Sequence, residues 1–393
     1  MTRRKFLAAS AATTCLASQI HAANERRCRV AVIGHTGRGN YGHGLDVVWR
    51  KIAGAELVAV ADADPGGLKK AMGRLKIDRG FSDYRKMLTE TRPEFVSIAP
   101  RHPDQHRDMV LAAIAAGAKG LYVEKPFCRT PAEADELIAA AGKHGVKVAV
   151  AHRNRYHPAL KVVQQLMAAG EIGRLLEIEG HGLGDRRGGG EDLWVLGGHV
   201  FNLMQFFGGD PLSCSATVLK GGKPATRQDV VEGDEGLGLL AGDEIHARWR
   251  LAGGVTASYT TYANDGSNKQ AYAARLVGTK GAVSVHIDRD PVAWLYPGNP
   301  FDPASRSKER IPITSAGVGR AENRRELIAS VHDHSLAIRD LIAAVDEDGD
   351  PLCDARQGAT AVEMTCGVFE SHRQGGAHVA FPLAERDNPL KKL

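Results

Sequence analysis

Apolar runs and helix-period segments alternate along the first third of the chain. Arg29 to Ile33, Leu57 to Ala61, Phe95 to Ile98, Leu121 to Val123 and Val146 to Ala151 are short apolar runs of strand length. Asp104 to Ala116 and Ala132 to Lys143 have helical spacing between the later ones. Strands alternating with helices of this length predict a right-handed, doubly wound parallel sheet of Rossmann type over residues 24–151. The pattern then changes. Ser213 to Leu219, Ile245 to Leu251, Thr256 to Thr261, Ala273 to Val277 and Val283 to Ile287 are strand-like runs separated by Gly, Asp and Asn, which predicts a second, sheet-rich α+β domain over 152–393. Leu336 to Ala344 and Ala359 to Phe369 read as helices that pack back on the body. There is no internal repeat, and Gly188-Gly189-Gly190 is a loop candidate.

In an open parallel sheet, ligands bind beyond the carboxyl ends of the strands, so the residues there hold the candidate chemistry. After the first strand comes Gly34-His35-Thr36-Gly37-Arg38-Gly39-Asn40-Tyr41-Gly42, read as a glycine-rich turn between a strand and a helix, in which backbone amides can approach a phosphate with the helix N-terminus facing it. Its spacing departs from G-x-G-x-x-G by one inserted residue. The second strand ends in Asp62-Ala63-Asp64-Pro65. Asp62, about 20 residues past the last loop glycine, is placed for ribose hydroxyls, whereas Asp64 before Pro65 reads as a helix N-cap. No Arg or Lys adjoins Asp62 to receive a 2′-phosphate, which favours NAD over NADP. The fifth strand runs into Glu124-Lys125-Pro126. Proline ends the strand and leaves an acid and a base at its carboxyl end, where a partly desolvated lysine can exchange protons near neutrality.

Composition narrows the classes. The 393 residues are 43% hydrophobic and 25% charged, enough for two globular domains. The formal net charge is +5, and three of those charges, Arg3, Arg4 and Lys5, lie at the extreme N-terminus, so no nucleic-acid partner is expected. Thr2-Arg3-Arg4-Lys5-Phe6-Leu7 and the mild apolar stretch through Ile20, ending in Ala22 and Ala23, resemble a twin-arginine signal peptide over 1–23. The stretch is too short and too interrupted for a membrane span. The expected location is therefore periplasmic or extracytoplasmic, after export in the folded state. Beyond that segment the five cysteines, Cys28, Cys128, Cys214, Cys353 and Cys366, show no metal-like spacing and no disulfide framework.

Taken in series, Pro100 through His106, Glu124-Lys125-Pro126, Asn154-Arg155-Tyr156 with Pro158, and Gly278-Thr279-Lys280-Gly281 resemble the Gfo/Idh/MocA oxidoreductases, from about Arg29 to Leu383. The resemblance implies a large, open, mostly antiparallel sheet in the second domain, with one face against a nicotinamide. It implies a cofactor site formed by Gly34, Thr36, Gly37, Arg38, Gly39, Asp62, Pro100, His106, Glu124, Lys125 and Asn154. Gly197-Gly198-His199-Val200-Phe201-Asn202 resembles the family's G-x-H-x-x-D segment, so Lys125 and His199 become the expected catalytic pair. Two departures stand out: Val195 occupies the position of an acid common in the family's dehydrogenases, and Asn202 replaces another. Asp192, Glu191 and Asp185, just upstream, are candidates to substitute. Arg153, Arg155, Tyr156, His157 and His181 would line a cleft suited to a polyhydroxylated ligand, with Asp192 and Asn202 beside them. His181, Asp185, Asp192 and His199 match no metal-ligand spacing, so no metal is expected.

Three readings of function follow. In the first, NAD accepts hydride from a ring carbon of a sugar or cyclitol, and Lys125 and His199 handle the hydroxyl proton. In the second, a retained cofactor returns the hydride after cleavage of a glycoside or passes it to a second sugar; this needs a further base, for which Tyr156, His181 and Asp192 are the candidates. In the third, the protein only binds a sugar. Assembly into homo-oligomers is expected by analogy alone.

Overall fold

The computed structural model describes residues 27–267, 271–302 and 309–393. The twin-arginine segment and its cleavage site lie outside the described residues.

Six strands form the first sheet: β1 (Cys28–Ile33), β2 (Ala55–Ala61), β3 (Gly80–Phe81), β4 (Phe95–Ile98), β5 (Gly120–Val123) and β6 (Lys147–Val150). Their spatial order is β3-β2-β1-β4-β5-β6 and every pairing is parallel, with the chain reversing its direction of progress beside β1. β4 and β5 are buried at every position, as strands covered on both faces must be. Helices α1 (Pro65–Leu75), α2 (Tyr84–Thr91), α3 (His106–Ala115) and α4 (Pro131–His144) supply the crossovers. Asp64 caps α1, accepting from the Gly67 amide at 2.5 Å with Pro65 in the first turn.

The crossover after β1 departs from expectation. The glycine-rich loop leads not into an α-helix but into two short 3₁₀ turns, Gly42–Gly44 and Val48–Lys51. Gly44 at φ 86° and His43 at φ 44° are left-handed, which stops an α-helix from starting there. Packing fixes the segment instead. The Trp49 indole N–H donates to Ser97 Oγ at 2.9 Å, and that hydroxyl donates to the Leu45 carbonyl at 2.8 Å.

After α5 (Ala159–Ala168), the second domain is built on one large sheet with β7 (Leu175–His181) at its middle. β7 pairs antiparallel with β11 (Ala273–Gly278) and parallel with β10 (Thr256–Tyr262). β8 (Pro211–Lys220) and β9 (Glu244–Leu251) extend the sheet past β10, and β12 (Gly281–His286), β13 (Ala293–Pro297) and β14 (Ile311–Thr314) extend it past β11, all by antiparallel pairing. Helix α6 (Gly198–Gly208) covers one face: a side chain at Gly180 of β7 would run into Met204 and Val200. The alternate residues Glu179 and His181 therefore stand on the opposite, open face.

The C-terminal helices do return to the body. In α8 (Ser335–Asp346), which follows α7 (Arg325–His332), Ala337, Ile338, Leu341 and Ile342 join the core formed by Val30, Val32, Phe95 and Tyr122 of the first sheet. α9 (Ala355–Arg373) packs between α4, α6 and β8.

Candidate active site

The glycine-rich loop closes on itself through the His35–Asn40 bridge, with Gly37 at φ 85° and Gly39 at φ 84°. A side chain at Gly39 would collide with the backbone of Arg101 and His102, so only glycine allows the loop to lie on the turn after β4. Asp62 is buried and accepts from the Thr36 amide at 3.0 Å, the Thr36 hydroxyl at 2.7 Å and the Asp64 amide at 3.0 Å. It forms the floor of a 210 Å³ cavity that also takes in Gly34, Ala63, Tyr84, Arg85 and Gln105. Arg38 pairs with Asp104 across the loop. A buried acid at the end of β2, a glycine loop beside it and a cavity between them fit the adenosine end of a dinucleotide. Arg85 adds a cation to that cavity, brought in from α2 where the sequence shows no base beside Asp62.

At the end of β5 the chemistry concentrates. Glu124 is fully buried and accepts from His43 Nδ1 at 2.6 Å, while its Oε2 has no partner among the described residues. Burial alone would raise the Glu124 pKa, but the His43 hydrogen bond and the charges of His43, Lys125 and His334 outweigh it and hold the carboxyl below its ordinary value. Lys125 is 7% exposed, and its Nζ donates to the Val195 carbonyl at 3.0 Å. Burial pushes this ammonium down, against the pull of Glu124 and Glu235 and with help from Arg101 and Arg187. Val195 lies in a π-helical turn, Leu193–Gly197, directly before α6. Such turns leave carbonyls out of the regular i to i−4 ladder. Here one meets the lysine, and the next, from Leu196, accepts from the Tyr272 hydroxyl at 2.8 Å.

His199, on the first turn of α6, stacks edge-on against His152 with ring centroids 5.3 Å apart. Burial, then the charges of Lys125 and His152, keep its pKa well below the ordinary histidine value, and its Nδ1 has no partner among the described residues. His152 is pushed down to about 3 by burial and by Lys125. Both rings are therefore neutral at pH 7. Asn154, buried at 4% exposure, also leaves its Nδ2 without a partner among the described residues. Three orphaned buried polar atoms, on Glu124, Asn154 and His199, fit a polar ligand laid along the strand ends.

Several expected site residues are employed elsewhere. His106 receives no open edge: its ring bridges the Pro126 carbonyl at 2.9 Å and the Pro100 carbonyl at 2.7 Å, so His106 and Pro100 brace the loops after β4 and β5 rather than face a cofactor. Arg155 donates to the Asn202 carbonyl at 2.9 Å and to Gln357 at 3.2 Å, and lies over the Phe206 ring. Tyr156 donates to Asp340 at 2.9 Å, and the Asn202 amide reaches Cys353 Sγ at 3.6 Å. These three tie the domain junction to the C-terminal helices. Asp192 does not replace the acid missing at position 195: it is buried beneath the sheet, accepting from Tyr259 at 2.5 Å and the Leu183 amide at 3.3 Å. Asp185 pairs with Arg187 at 2.6 Å, and Glu191 lies 3.7 Å from Arg186. His181 stands on the open face, 3.6 Å from Asp265.

His43 and His152, not singled out in the sequence, complete the site together with the Val195 carbonyl. His334, from the distant C-terminal segment, accepts from the buried Tyr122 hydroxyl at 2.6 Å. The turn Asp234–Gly236 packs on Pro103–Gln105, bringing Glu235 toward Lys125. Among the described residues no three His, Cys, Asp or Glu side chains gather as a metal set, and no helix is long and apolar enough to cross a membrane.

The fold and site define a two-domain nucleotide-binding protein, with Lys125 of one domain anchored on the Val195 carbonyl of the other. Residues 28–152 match the oxidoreductase family's NAD-binding Rossmann fold, and residues 165–381 match its C-terminal alpha/beta domain. The chain belongs to the Gfo/Idh/MocA oxidoreductase family. It is similar to levoglucosan dehydrogenase of Pseudarthrobacter phenanthrenivorans, 25% identical over 71% of this chain and 80% of that one. It is also similar to D-apiose dehydrogenase of Paraburkholderia graminis, 38% identical over 32% of this chain; that match spans only 33% of the relative's length. Inositol 2-dehydrogenase of Acidothermus cellulolyticus is 32% identical over 39% of this chain and 44% of its own. A solved levoglucosan dehydrogenase, in complex with NADH and L-sorbose, superposes with a TM-score of 0.70 at 19% identity, covering 91% of this chain and 100% of that one.

Proposed function

We propose that the protein is an NAD(H)-dependent carbohydrate oxidoreductase that moves hydride between the nicotinamide and a ring hydroxyl carbon of a sugar, cyclitol or glycoside. The observation that carries this reading is Lys125: a buried amine at a strand's carboxyl end, anchored on a neutral carbonyl 3.0 Å away and flanked by Glu124 and His199. The sugar and cyclitol dehydrogenases among its relatives support the substrate class. Bound NAD supplies the hydride acceptor. The chain's own residues do the rest. Val195 O fixes Lys125 Nζ so that a lone pair, when the amine is neutral, can take the hydroxyl proton. His199, held neutral, offers an imidazole edge to the same oxygen, and Glu124 balances the lysine once it is charged. Asp62 and the glycine loop would hold the adenosine end; Asp62 favours the ribose hydroxyls of NAD, while Arg85, a cation that the sequence does not place beside Asp62, weighs toward NADP in the same cavity. Tyr156 and Asp192 are bonded to Asp340 and Tyr259, so of the candidate further bases for a redox-neutral cleavage His181, with Nδ1 on the Gly182 carbonyl, keeps its second ring nitrogen for that role. Export by the twin-arginine route and homo-oligomer formation belong to the same proposal.

The test is NAD reduction at 340 nm against a panel of sugars, cyclitols and glycosides. Lys125→Ala is expected to lower kcat by about 10² to 10⁴-fold while NAD affinity stays within a few-fold. In the unaltered enzyme the oxidation rate should rise with pH through an apparent pKa below the ordinary lysine value of 10.5. Failure of the unaltered protein to reduce free or bound NAD with any member of the panel overturns the proposal.

A further inference from the structure

Glu124 is fully buried, yet its carboxylate receives one hydrogen bond among the described residues: His43 Nδ1 donates to Oε1 at 2.6 Å, across 81 positions of sequence. A carboxylate only accepts, so the proton of this contact sits on Nδ1. His43 belongs to the short turn Gly42–Gly44 that follows the glycine-rich loop, with φ 44° and ψ 20°, a left-handed conformation uncommon outside glycine. The turn is pressed onto its partner. A side chain at Gly42 would lie 3.1 Å from Glu124 Cδ, 3.1 Å from the Ala99 carbonyl oxygen and 2.7 Å from Arg101 Cγ. Glycine there lets the main chain come close enough for the next residue to reach the carboxylate. The His43 side chain itself is 39% exposed.

A single bond matters because of the charges that meet at Glu124. Burial works against the ionised carboxylate; the bond from His43, then the charges of His43, Lys125 and His334, sustain it. Of the charges acting on Lys125, Glu124 comes first, ahead of Glu235 in the Asp234–Gly236 turn, Arg101 and Arg187, while His152 and His199 on the same side are neutral. A buried carboxylate stripped of its one donor is more stable protonated than charged. Neutral Glu124 would no longer offset the lysine ammonium. We propose that His43 is a positioning residue of the reaction centre, which by donating to Oε1 keeps Glu124 a fixed carboxylate and so the counter-charge of Lys125. Its consequence for catalysis rests on the assignment of Lys125 as the acid-base group; the contact itself does not.

Asn and Ala at position 43 separate the donor from the rest of the ring. Asn tolerates the left-handed backbone and brings an amide N–H to the place of Nδ1; Ala removes the donor, and neither titrates. Urea unfolding of the cofactor-free protein at pH 8 and pH 5 compares them. With Asn the Glu124 carboxyl stays below its unfolded value of 4.5 and takes up no proton across this range. With Ala it rises above that value, so the folded chain gains a proton and recovers stability as the pH falls. The urea midpoint of His43→Asn should therefore exceed that of His43→Ala at pH 8, with the gap at least halved at pH 5. In sugar oxidation, the apparent pKa of the rate should be about one unit lower in His43→Ala than in His43→Asn, because the lysine ammonium has lost its counter-charge. If His43→Ala does not fold, His43→Gly deletes the same donor and accepts φ 44° without strain. No gap at pH 8, an equal gap at both pH values, or coincident rate profiles for the two variants overturns the proposal. An unaltered protein that oxidises no sugar overturns the role of Lys125 instead, and the unfolding comparison still decides that of His43.

Discussion

Two residues at the centre of the site owe their behaviour to partners that no local motif announces. Glu124-Lys125-Pro126 is legible because proline ends a buried strand, yet the acceptor of Lys125 is a main-chain carbonyl, freed by a π-helical turn whose side chains are ordinary apolar ones. Val195 therefore reads as a lost acid in the sequence and acts as a carbonyl in the structure. His334 is equally hidden, lying 212 residues from Tyr122, whose hydroxyl it accepts at 2.6 Å. Burial lowers the His334 pKa from 6.5 to about 4. Above pH 6.5 both folded and unfolded chains hold it neutral. Below that, the unfolded chain takes a proton that the folded chain refuses, so stability falls by about 1.4 kcal/mol per pH unit until the folded pKa is reached. Asn at this position keeps an acceptor for Tyr122 and tolerates the left-handed φ of 67°, but does not titrate. His334→Asn should therefore gain about 2 kcal/mol relative to the unaltered protein between pH 7.5 and pH 5. Urea unfolding at the two pH values measures this, and an equal difference at both would show that His334 is not held neutral.

Among the elements, those with a plain period were legible and those with mixed faces were not. β4 and β5 of the first sheet, buried at every position, stand out as apolar runs, whereas the two-residue edge strand β3 gives no such signal. β7 does not stand out either: in Leu-Leu-Glu-Ile-Glu-Gly-His the acids occupy the open face of the sheet and break the run, although this strand sits mid-sheet, parallel to one neighbour and antiparallel to the other. β13 and β14 each contain a proline and were missed for the same reason, a local signal that argues against strand. The helix expected after the glycine loop gave way to 3₁₀ turns because left-handed residues and the buried Trp49 fix that segment. α8 shows what an element can do far from its own domain. Its Leu341 is fully buried against the first sheet, so the two domains share a core there. Leu341→Ala should cost about 2 to 5 kcal/mol. Chemical denaturation followed by amide hydrogen exchange at Val30 and Val32, inside that same core, should report the whole loss, whereas a change confined to the second domain would leave that transition in place.

At the scale of the molecule, the arrangement bears on where such a protein can work. The nucleotide cleft is closed from several sides: the glycine loop lies on the turn after β4, the Asp234–Gly236 turn packs on Pro103–Gln105, and the second domain anchors Lys125 through Val195. Packing of this kind predicts slow release of a bound dinucleotide. Under the proposed export as a folded chain, free NAD is scarce, so the protein must carry its cofactor with it. Protein recovered from the exported fraction and denatured without added nucleotide should then release close to one equivalent of NAD(H), identified by chromatography and mass. A second, milder test separates retention from mere affinity: dialysis of the native protein should leave that equivalent in place. Native protein that emerges empty and binds NAD only weakly would mean that the enclosure seen here does not hold the cofactor, and that the enzyme draws on a supply outside itself.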